Sequence, residues 1–253
     1  GNAEAGEVDD WIYVSSMKIH QLVFGLPPGG AFRHSEDFRT VFGADEVLYV
    51  LEGTYGSVNP ETGEVYKVEA GSGLFFRKDT WHNGFSLGPG RLKVLEFFAP
   101  PPATGTSGAY ARTRPYVDQP KYGRDDLMGS WPMAAATEKA SRTMHVMHDD
   151  DLLWRLEGPQ QSILTGLYCA TEQLTVGRSR LMPGQKSGVH SHGGDEGLYV
   201  LSGTLNVLAP EASPRWFELH KDDGFYVPEG APHQYWNMSG EPVEFMFGVA
   251  PKY

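Results

Sequence analysis

The chain has one cysteine, Cys169, in 253 residues. No intrachain disulfide can form, which argues against a disulfide-stapled secreted fold and for a reducing compartment. Set among Gly166, Leu167, Tyr168 and Ala170, the thiol reads as a small core residue rather than a nucleophile. Long apolar runs are also lacking. No window of about 18 apolar residues occurs, so no transmembrane helix is expected. Basic clusters are missing as well: 21 Lys and Arg stand against 32 Asp and Glu, a net charge of −11. Phosphate backbones and anionic lipid repel such a chain, so neither nucleic acid nor membrane is expected as a partner. The opening Gly-Asn-Ala-Glu-Ala-Gly-Glu has no basic region followed by an apolar stretch. No signal peptide is read there, and the expected location is the cytoplasm.

What the chain does have is a repeat. Asp45-Glu46-Val47-Leu48-Tyr49-Val50-Leu51-Glu52-Gly53-Thr54 and Asp195-Glu196-Gly197-Leu198-Tyr199-Val200-Leu201-Ser202-Gly203-Thr204 agree at eight of ten positions, 150 residues apart. Trp81-His82 lies opposite Pro232-His233, and Ala99-Pro100 opposite Ala250-Pro251, both at an offset of 151. One inserted residue explains the drift, and landmarks in preserved order mean two copies of one fold. Each copy reads as short strands: Val47 to Leu51, Gly73 to Arg77, Lys93 to Phe98, Leu198 to Leu201, Phe225 to Val227 and Val243 to Val249. Turn signals such as Asn59-Pro60-Glu61-Thr62-Gly63 and Ser239-Gly240-Glu241-Pro242 separate them. The expectation is all-β, a sandwich or barrel made twice. A first barrel is read over 1–102, a connecting segment packed along the barrels over 103–160, and a second barrel over 161–253. Within the connection, Met133 to Lys139 reads as a short helix. Asp149-Asp150-Asp151 before Leu152-Leu153-Trp154-Arg155-Leu156 reads as an N-capped helical turn.

The second copy concentrates metal-binding side chains. His190 and His192 alternate as i and i+2, which on a strand places both on one face. Gly193-Gly194 then turns the chain, Glu196 opens the next strand, and His233 arrives after a Pro-Gly turn. Three imidazoles and a carboxylate suit a divalent first-row transition metal, and on an octahedral ion they leave two positions open.

These residues resemble the cupin superfamily. Its first motif, G-x5-H-x-H-x3-E-x6-G, is met by Gly184, His190, His192, Glu196 and Gly203. Its second, G-x5-P-x-G-x2-H-x3-N, is met by Pro228, Gly230, His233 and Asn237, with Asp222 standing where the opening glycine is expected. The resemblance implies two cupin barrels in tandem, of the double-stranded β-helix or jelly-roll type. It makes His190, His192, Glu196 and His233 the ligands of one metal per chain: iron, manganese, nickel or zinc. It also implies a homo-oligomer, since cupins commonly pair edge strands, and homodimer is the expected form.

The first copy is degenerate. Aligning Glu46 with Glu196 puts Thr40 opposite His190 and Phe42 opposite His192, so Glu46 and His82 alone remain of four ligands, with His34 as a distant third. The reading is a metal-free supporting barrel in which Glu46 and His82 form a buried pair. Among other candidates, Tyr235 shares the parity of His233 and could face the metal cavity. Arg178 and Arg180 alternate on the strand Leu174 to Met182 and could hold a substrate carboxylate if that face points inward. The pocket candidates are thus Tyr235 and Arg180. Trp216, Phe225, Tyr226, Trp236, Phe245 and Phe247 supply an aromatic interior or rim, while His145, His148 and His220 read as surface. The expected function is a metal-dependent enzyme on a small organic molecule, a dioxygenase-type oxidoreductase like bicupins that act on phenols and diketones. Non-redox isomerase, lyase or aminohydrolase chemistry and plain small-molecule binding are the alternatives. The aminohydrolase ligand order, E-x-H-x3-H followed by Gln, differs from the one here.

Overall fold

The structure, a computed structural model, describes residues 8–32, 42–59, 63–101 and 144–253. The first half forms β1 (Asp9–Ser15), β2 (His20–Leu26), β3 (Asp45–Glu52), β4 (Thr54–Asn59), β5 (Glu64–Glu69), β6 (Gly73–Phe76), β7 (Asn83–Ser86), β8 (Leu92–Ala99) and β9 (Met144–Met147). The second forms β10 (Leu153–Glu157), β11 (Ile163–Ala170), β12 (Thr175–Leu181), β13 (Asp195–Ser202), β14 (Thr204–Leu208), β15 (Trp216–His220), β16 (Gly224–Val227), β17 (Gln234–Trp236) and β18 (Val243–Ala250). Among the described residues the one helical element is a single 3-10 turn, Asp149–Asp151. No helix there is long and apolar enough to cross a membrane.

The repeat is visible in the topology. The first half has a six-stranded sheet, β1-β2-β8-β3-β6-β9, and a three-stranded sheet, β5-β4-β7. The second has β10-β11-β12-β18-β13-β16 and β15-β14-β17. In each, the strand carrying the Asp-Glu-x-Leu-Tyr-Val-Leu segment lies inside the sheet, between the last strand of its copy and the strand before the histidine turn. This is the all-β tandem jelly-roll architecture expected. All six expected strand segments fall on β3, β6, β8, β13, β16 and β18.

The described residues cluster into two compact units. One comprises 8–11, the described part of Val23–Glu96, and 144–148; the other comprises Ile12–Leu22, Phe97–Pro101 and Asp149–Tyr253. A linear reading placed boundaries at 102 and 160, but residues 12–22 and 97–101 belong with the C-terminal unit and β10 joins its sheet. Within that unit, Gln21 Nε2 donates to the Leu198 carbonyl at 3.2 Å and the Tyr13 hydroxyl to the Asp222 carbonyl at 2.9 Å. Lys18 pairs with Asp195 and Glu229. Close approach explains why glycine is needed at 248: a Cβ there would lie 2.5 Å from the buried Phe97 ring.

The helical turn expected from Asp149 to Leu156 is corrected. Only Asp149–Asp151 coil, and Leu153–Glu157 continue as a strand paired with β11, Trp154 opposite Gly166 and Leu156 opposite Leu164. Gly166 leaves room for the Trp154 ring to lie across it, and this cross-strand packing outweighs the local helical signal. The helix expected at Met133 to Lys139 lies outside the described residues. Cys169 is buried, its Sγ 3.6 Å from the Leu174 carbonyl, as a core thiol should be.

Candidate metal centre

The core of the C-terminal unit is made by the inward-facing residues of its strands. On β13 these are Glu196, Leu198 and Val200, opposite Val249, Phe247 and Phe245 of β18. Leu205, Val207 and Leu219 close the other side. Glu196 is thus a carboxylate in a row of apolar residues, 1% exposed. A buried carboxylate needs compensation.

It comes from the histidines. His190 and His192 do not sit on a regular strand, contrary to expectation. The segment is extended and pinned by one isolated bridge, in which His190 N donates to His233 O and His233 N to His190 O, both at 2.9 Å. A backbone bridge therefore sets two candidate ligands side by side. The Gly230 N–H donates to the His192 carbonyl at 3.0 Å, tying the histidine segment to the Pro-Gly turn. Beneath that turn, Asp195 accepts from Glu229 N and from the Tyr226 hydroxyl, each at 3.0 Å. Asn237 donates to the carbonyls of Leu181 (3.0 Å) and Glu241 (2.8 Å), so its role is to brace the segment ends.

The tautomers follow from the partners. His190 Nδ1 lies 2.9 Å from the Gly188 carbonyl and His233 Nδ1 3.0 Å from the Ala231 carbonyl. A carbonyl can only accept, so Nδ1 carries the proton and Nε2 offers its lone pair. Oε2 of Glu196 is 3.3 Å from His192 Nε2 and 3.1 Å from His233 Nε2. Yet neither Glu196 Oε2 nor His233 Nε2 makes a well-formed hydrogen bond within the protein. Lone pairs converging at this distance need a shared proton or cation. Burial alone would raise the Glu196 pKa, but the His192 and His233 rings beside it outweigh burial and hold it at about 2. Burial lowers His190. For His233 burial pulls downward as well, and the Glu196 carboxylate outweighs it and raises the pKa. The three imidazoles offer nitrogens within 4.8 Å of one another, a triad able to hold a metal ion. Neutral imidazoles oriented by carbonyl partners, beside a buried carboxylate with an orphaned oxygen, fit a divalent first-row metal.

This cluster opens into a cavity of about 320 Å³, whose wall includes Ser179, Leu181, Tyr235, Phe245, Phe247 and Tyr253. Tyr235 faces it as its parity suggested, its ring centroid 5.1 Å from that of His233. Arg180 does not, and its reading as a pocket residue is corrected. On β12, Ser179 and Leu181 take the inward positions, so Arg180 and Arg178 face outward by the two-residue period. Arg180 is 3.6 Å from Glu244; Arg178 bonds Asp149 at 2.6 Å and lies over the Trp154 ring. Of the aromatics, Phe245 and Phe247 reach the cavity. Trp216 packs edge-on against Trp236, and both Trp216 and Tyr226 are exposed on one side. His145, His148 and His220 are exposed, as read.

Two wall residues were not anticipated. The Tyr253 ring stacks on His192 with centroids 4.7 Å apart, and its hydroxyl bonds Glu157 at 3.1 Å. Glu157 also accepts from Thr165 at 2.9 Å and pairs with Arg155. No motif marks these positions. The inward parity of β10 is the only signal available, and it was obscured by reading that segment as a helical connection.

In the N-terminal unit, His82 Nδ1 faces the Thr80 carbonyl at 3.1 Å and Nε2 lies 3.4 Å from Glu46 Oε2. Rings of Phe76 and Phe42 flank His82 at 4.1 and 5.5 Å. The expected buried pair is present, with phenylalanine at the position of His192. Glu96, on β8, is buried nearby and its pKa is raised, first by burial and then by the Glu46 charge. His34 and Thr40 lie outside the described residues. The one departure from the second motif is also resolved. Asp222 adopts φ 71° and its counterpart Gly71 φ 89°, while Asp79 adopts φ 70° and its counterpart Gly230 φ 76°. The two copies have exchanged Gly and Asp at two left-handed turn positions, which Asp tolerates better than most side chains.

The profile of the Cupin domain family matches residues 23–98 and 177–249. Among solved structures, a putative glyoxylate-induced protein from Pseudomonas aeruginosa superposes with a TM-score of 0.67 at 13% identity, covering 97% of this chain and 81% of the other. AerE from Microcystis aeruginosa gives 0.65 at 8%, covering 96% and 92%. Lactobacillus farciminis oxalate decarboxylase, in a formate complex, gives 0.60 at 15%, covering 97% and 81%. At such identities the likeness is one of fold. No curated protein matches the sequence.

Proposed function

This chain belongs to the cupin family, and on that premise we propose that its C-terminal barrel is a metal-dependent enzyme for a small organic molecule, a dioxygenase-type oxidoreductase with one metal per chain held by His190, His192, Glu196 and His233. The observation that supports this is the convergence of three imidazole nitrogens and a carboxylate oxygen lacking a well-formed hydrogen bond beside a largely apolar cavity. A structural metal is usually enclosed by its ligands, whereas here the donors border open space, as a reactive site requires. When bound, iron or manganese would act as a Lewis acid for substrate oxygens and exchange electrons with dioxygen.

The protein's own residues do the rest. The Gly188 and Ala231 carbonyls hold two imidazoles neutral and oriented. Phe245, Phe247, Ile163 and Leu181 exclude water and favour an organic body. Tyr253 covers the outer face of His192. The natural ligand on this reading is a small molecule, and an oligomer formed through strand edges is consistent with the exposed apolar residues of the edge strand β10, Leu153 and Leu156.

The test is metal analysis of untreated protein, then oxygen-electrode assays of iron- and manganese-loaded protein against catechols and 1,3-diketones. Uptake of dioxygen on adding one of these, abolished in His233→Ala with its metal, is the expected result. A loaded protein that consumes no dioxygen with any of them refutes the oxidoreductase assignment.

A further inference from the structure

The cavity wall is unusual in its charges. Among the described residues its charged side chains are Glu157 and Glu196, and neither lysine nor arginine lines it. Arg155, outside that lining, pairs with Glu157 and stacks on the Tyr253 ring 4.9 Å away. Arg178 and Arg180 are on the opposite face of their strand. With a divalent ion beside the Glu196 carboxylate, one positive charge remains for the ligand to neutralise. A second negative charge on the ligand would be buried against Ile163, Leu181, Phe245 and Phe247 without a partner, a costly arrangement.

The hydrogen-bonding groups of the wall are equally selective. Ser179 Oγ is engaged with Thr165 Oγ1 at 2.9 Å. Ser187 Oγ donates to the Gly188 carbonyl at 2.8 Å and accepts from Tyr235 N at 2.9 Å. The Tyr253 hydroxyl is given to Glu157. Among the described wall residues, Tyr235 is the one whose hydroxyl makes no well-formed hydrogen bond: the residue is 6% exposed, and the polar group beside the hydroxyl is the Glu196 carboxylate, itself a proposed metal ligand. A buried O–H left unpaired is destabilising and rare. This one lies on the cavity wall, between His190 and His233 on one side and Phe245 on the other.

We propose that the cavity selects small, singly charged oxygen chelators with an apolar body, whose oxygen accepts a hydrogen bond from Tyr235, and that it rejects dicarboxylates. This rests on the metal-site reading above and adds the ligand's charge and the residue that recognises it. It separates this chain from a dicarboxylate enzyme even though an oxalate decarboxylase shares its fold.

The experiment uses nickel-loaded protein, so that binding is read without turnover. Tropolone serves as the singly charged chelator, oxalate and malonate as the doubly charged ones, each titrated by calorimetry and referred to its own affinity for aqueous nickel. On that scale tropolone should bind at least tenfold better than either dianion. Tyr235→Phe should weaken tropolone about ten- to hundredfold, the range of one hydrogen bond to a charged acceptor, with oxalate unchanged. The preference in the wild-type protein is an independent readout, so the proposal stands or falls even where the variant folds poorly. Oxalate binding as well as tropolone, or tropolone indifferent to Tyr235→Phe at full nickel occupancy, overturns it. Failure of the oxidoreductase reading looks different: the tropolone preference is intact, and the iron-loaded protein consumes no dioxygen.

Discussion

His20 makes the stability of this protein depend on pH in a window that the metal ligands do not define. It opens β2, is fully buried, and packs beside Phe98 with ring centroids 6.2 Å apart. Burial lowers its pKa from 6.5 to about 4. In the unfolded chain the imidazole takes up a proton near pH 6.5; in the folded protein it resists until about pH 4. Between those values the unfolded state binds more protons, so stability falls as pH falls, and above pH 6.5 the contribution is constant. At 1.36 kcal/mol per unit, the loss reaches between about 2 and 3 kcal/mol at pH 4.5. With a urea m-value of about 2 to 3 kcal/mol/M, that moves the midpoint by about 1 M. The assay is urea unfolding of metal-stripped protein at pH 7.5, 5.5 and 4.5, for wild type and His20→Phe. The other histidines titrate equally in both, so the difference in pH slope isolates His20. The variant should lose most of the acid-induced drop in midpoint, whatever its stability at pH 7.5. Parallel slopes in the two proteins would show that His20 is not held neutral, and would refute the argument.

Metal analysis should give one equivalent per chain, and His82→Ala should leave that content unchanged; a second equivalent lost with His82 would make the N-terminal barrel a working site. Metal affinity should decline on acidification, beginning somewhat above pH 6.5, because Glu196 raises the His233 pKa and the proton must leave before a metal binds; competition with a chromophoric chelator across pH 5 to 8 measures it. Gly248→Val should destabilise the protein by about 1 to 3 kcal/mol, since the new side chain meets a Phe97 ring that is itself fully buried. Chemical denaturation reads that directly, and a change below 0.5 kcal/mol would mean that the C-terminal unit accommodates it by shifting residues 97–101.

The fold was legible because period and repeat agree at every level. The alternation in Val47 to Leu51 and in its copy at Leu198 to Leu201 survives as an interior strand of each main sheet. The cluster of candidate ligands was legible because its spacing follows chemistry: a carboxylate and three imidazoles that are to share one ion must meet at one point, and the structure brings His190, His192, Glu196 and His233 together. Legibility failed where tertiary contact decides. Leu153 to Glu157 looks helical after three aspartates, and pairing with β11 makes it a strand. Arg180 was placed by strand parity alone, and parity gives two faces without saying which is inward; Ser179 and Leu181 take the cavity. Glu157 and Tyr253 come from chain segments remote from every motif, so nothing local announces that they meet over His192.

The N-terminal copy shows which parts of such a site the fold keeps on its own account. Its histidine still donates Nδ1–H to the carbonyl two residues earlier, at 3.1 Å, and still aims Nε2 at the glutamate opening the interior strand, at 3.4 Å. In the C-terminal copy the same contacts measure 3.0 and 3.1 Å. The turn before the histidine and the start of the interior strand therefore generate the Glu–His approach whether or not a metal is to be held. What differs is the segment that supplies the other two imidazoles. There the N-terminal copy has Phe42 where the C-terminal copy has His192, and its ring packs 5.5 Å from His82 instead of offering a lone pair. On the proposed reading, metal affinity rests on the short His190–His192 segment and the bridge that pins it to His233. That bridge is made of backbone atoms, so substituting His190 should remove a ligand while leaving the geometry of His233 and Glu196 in place.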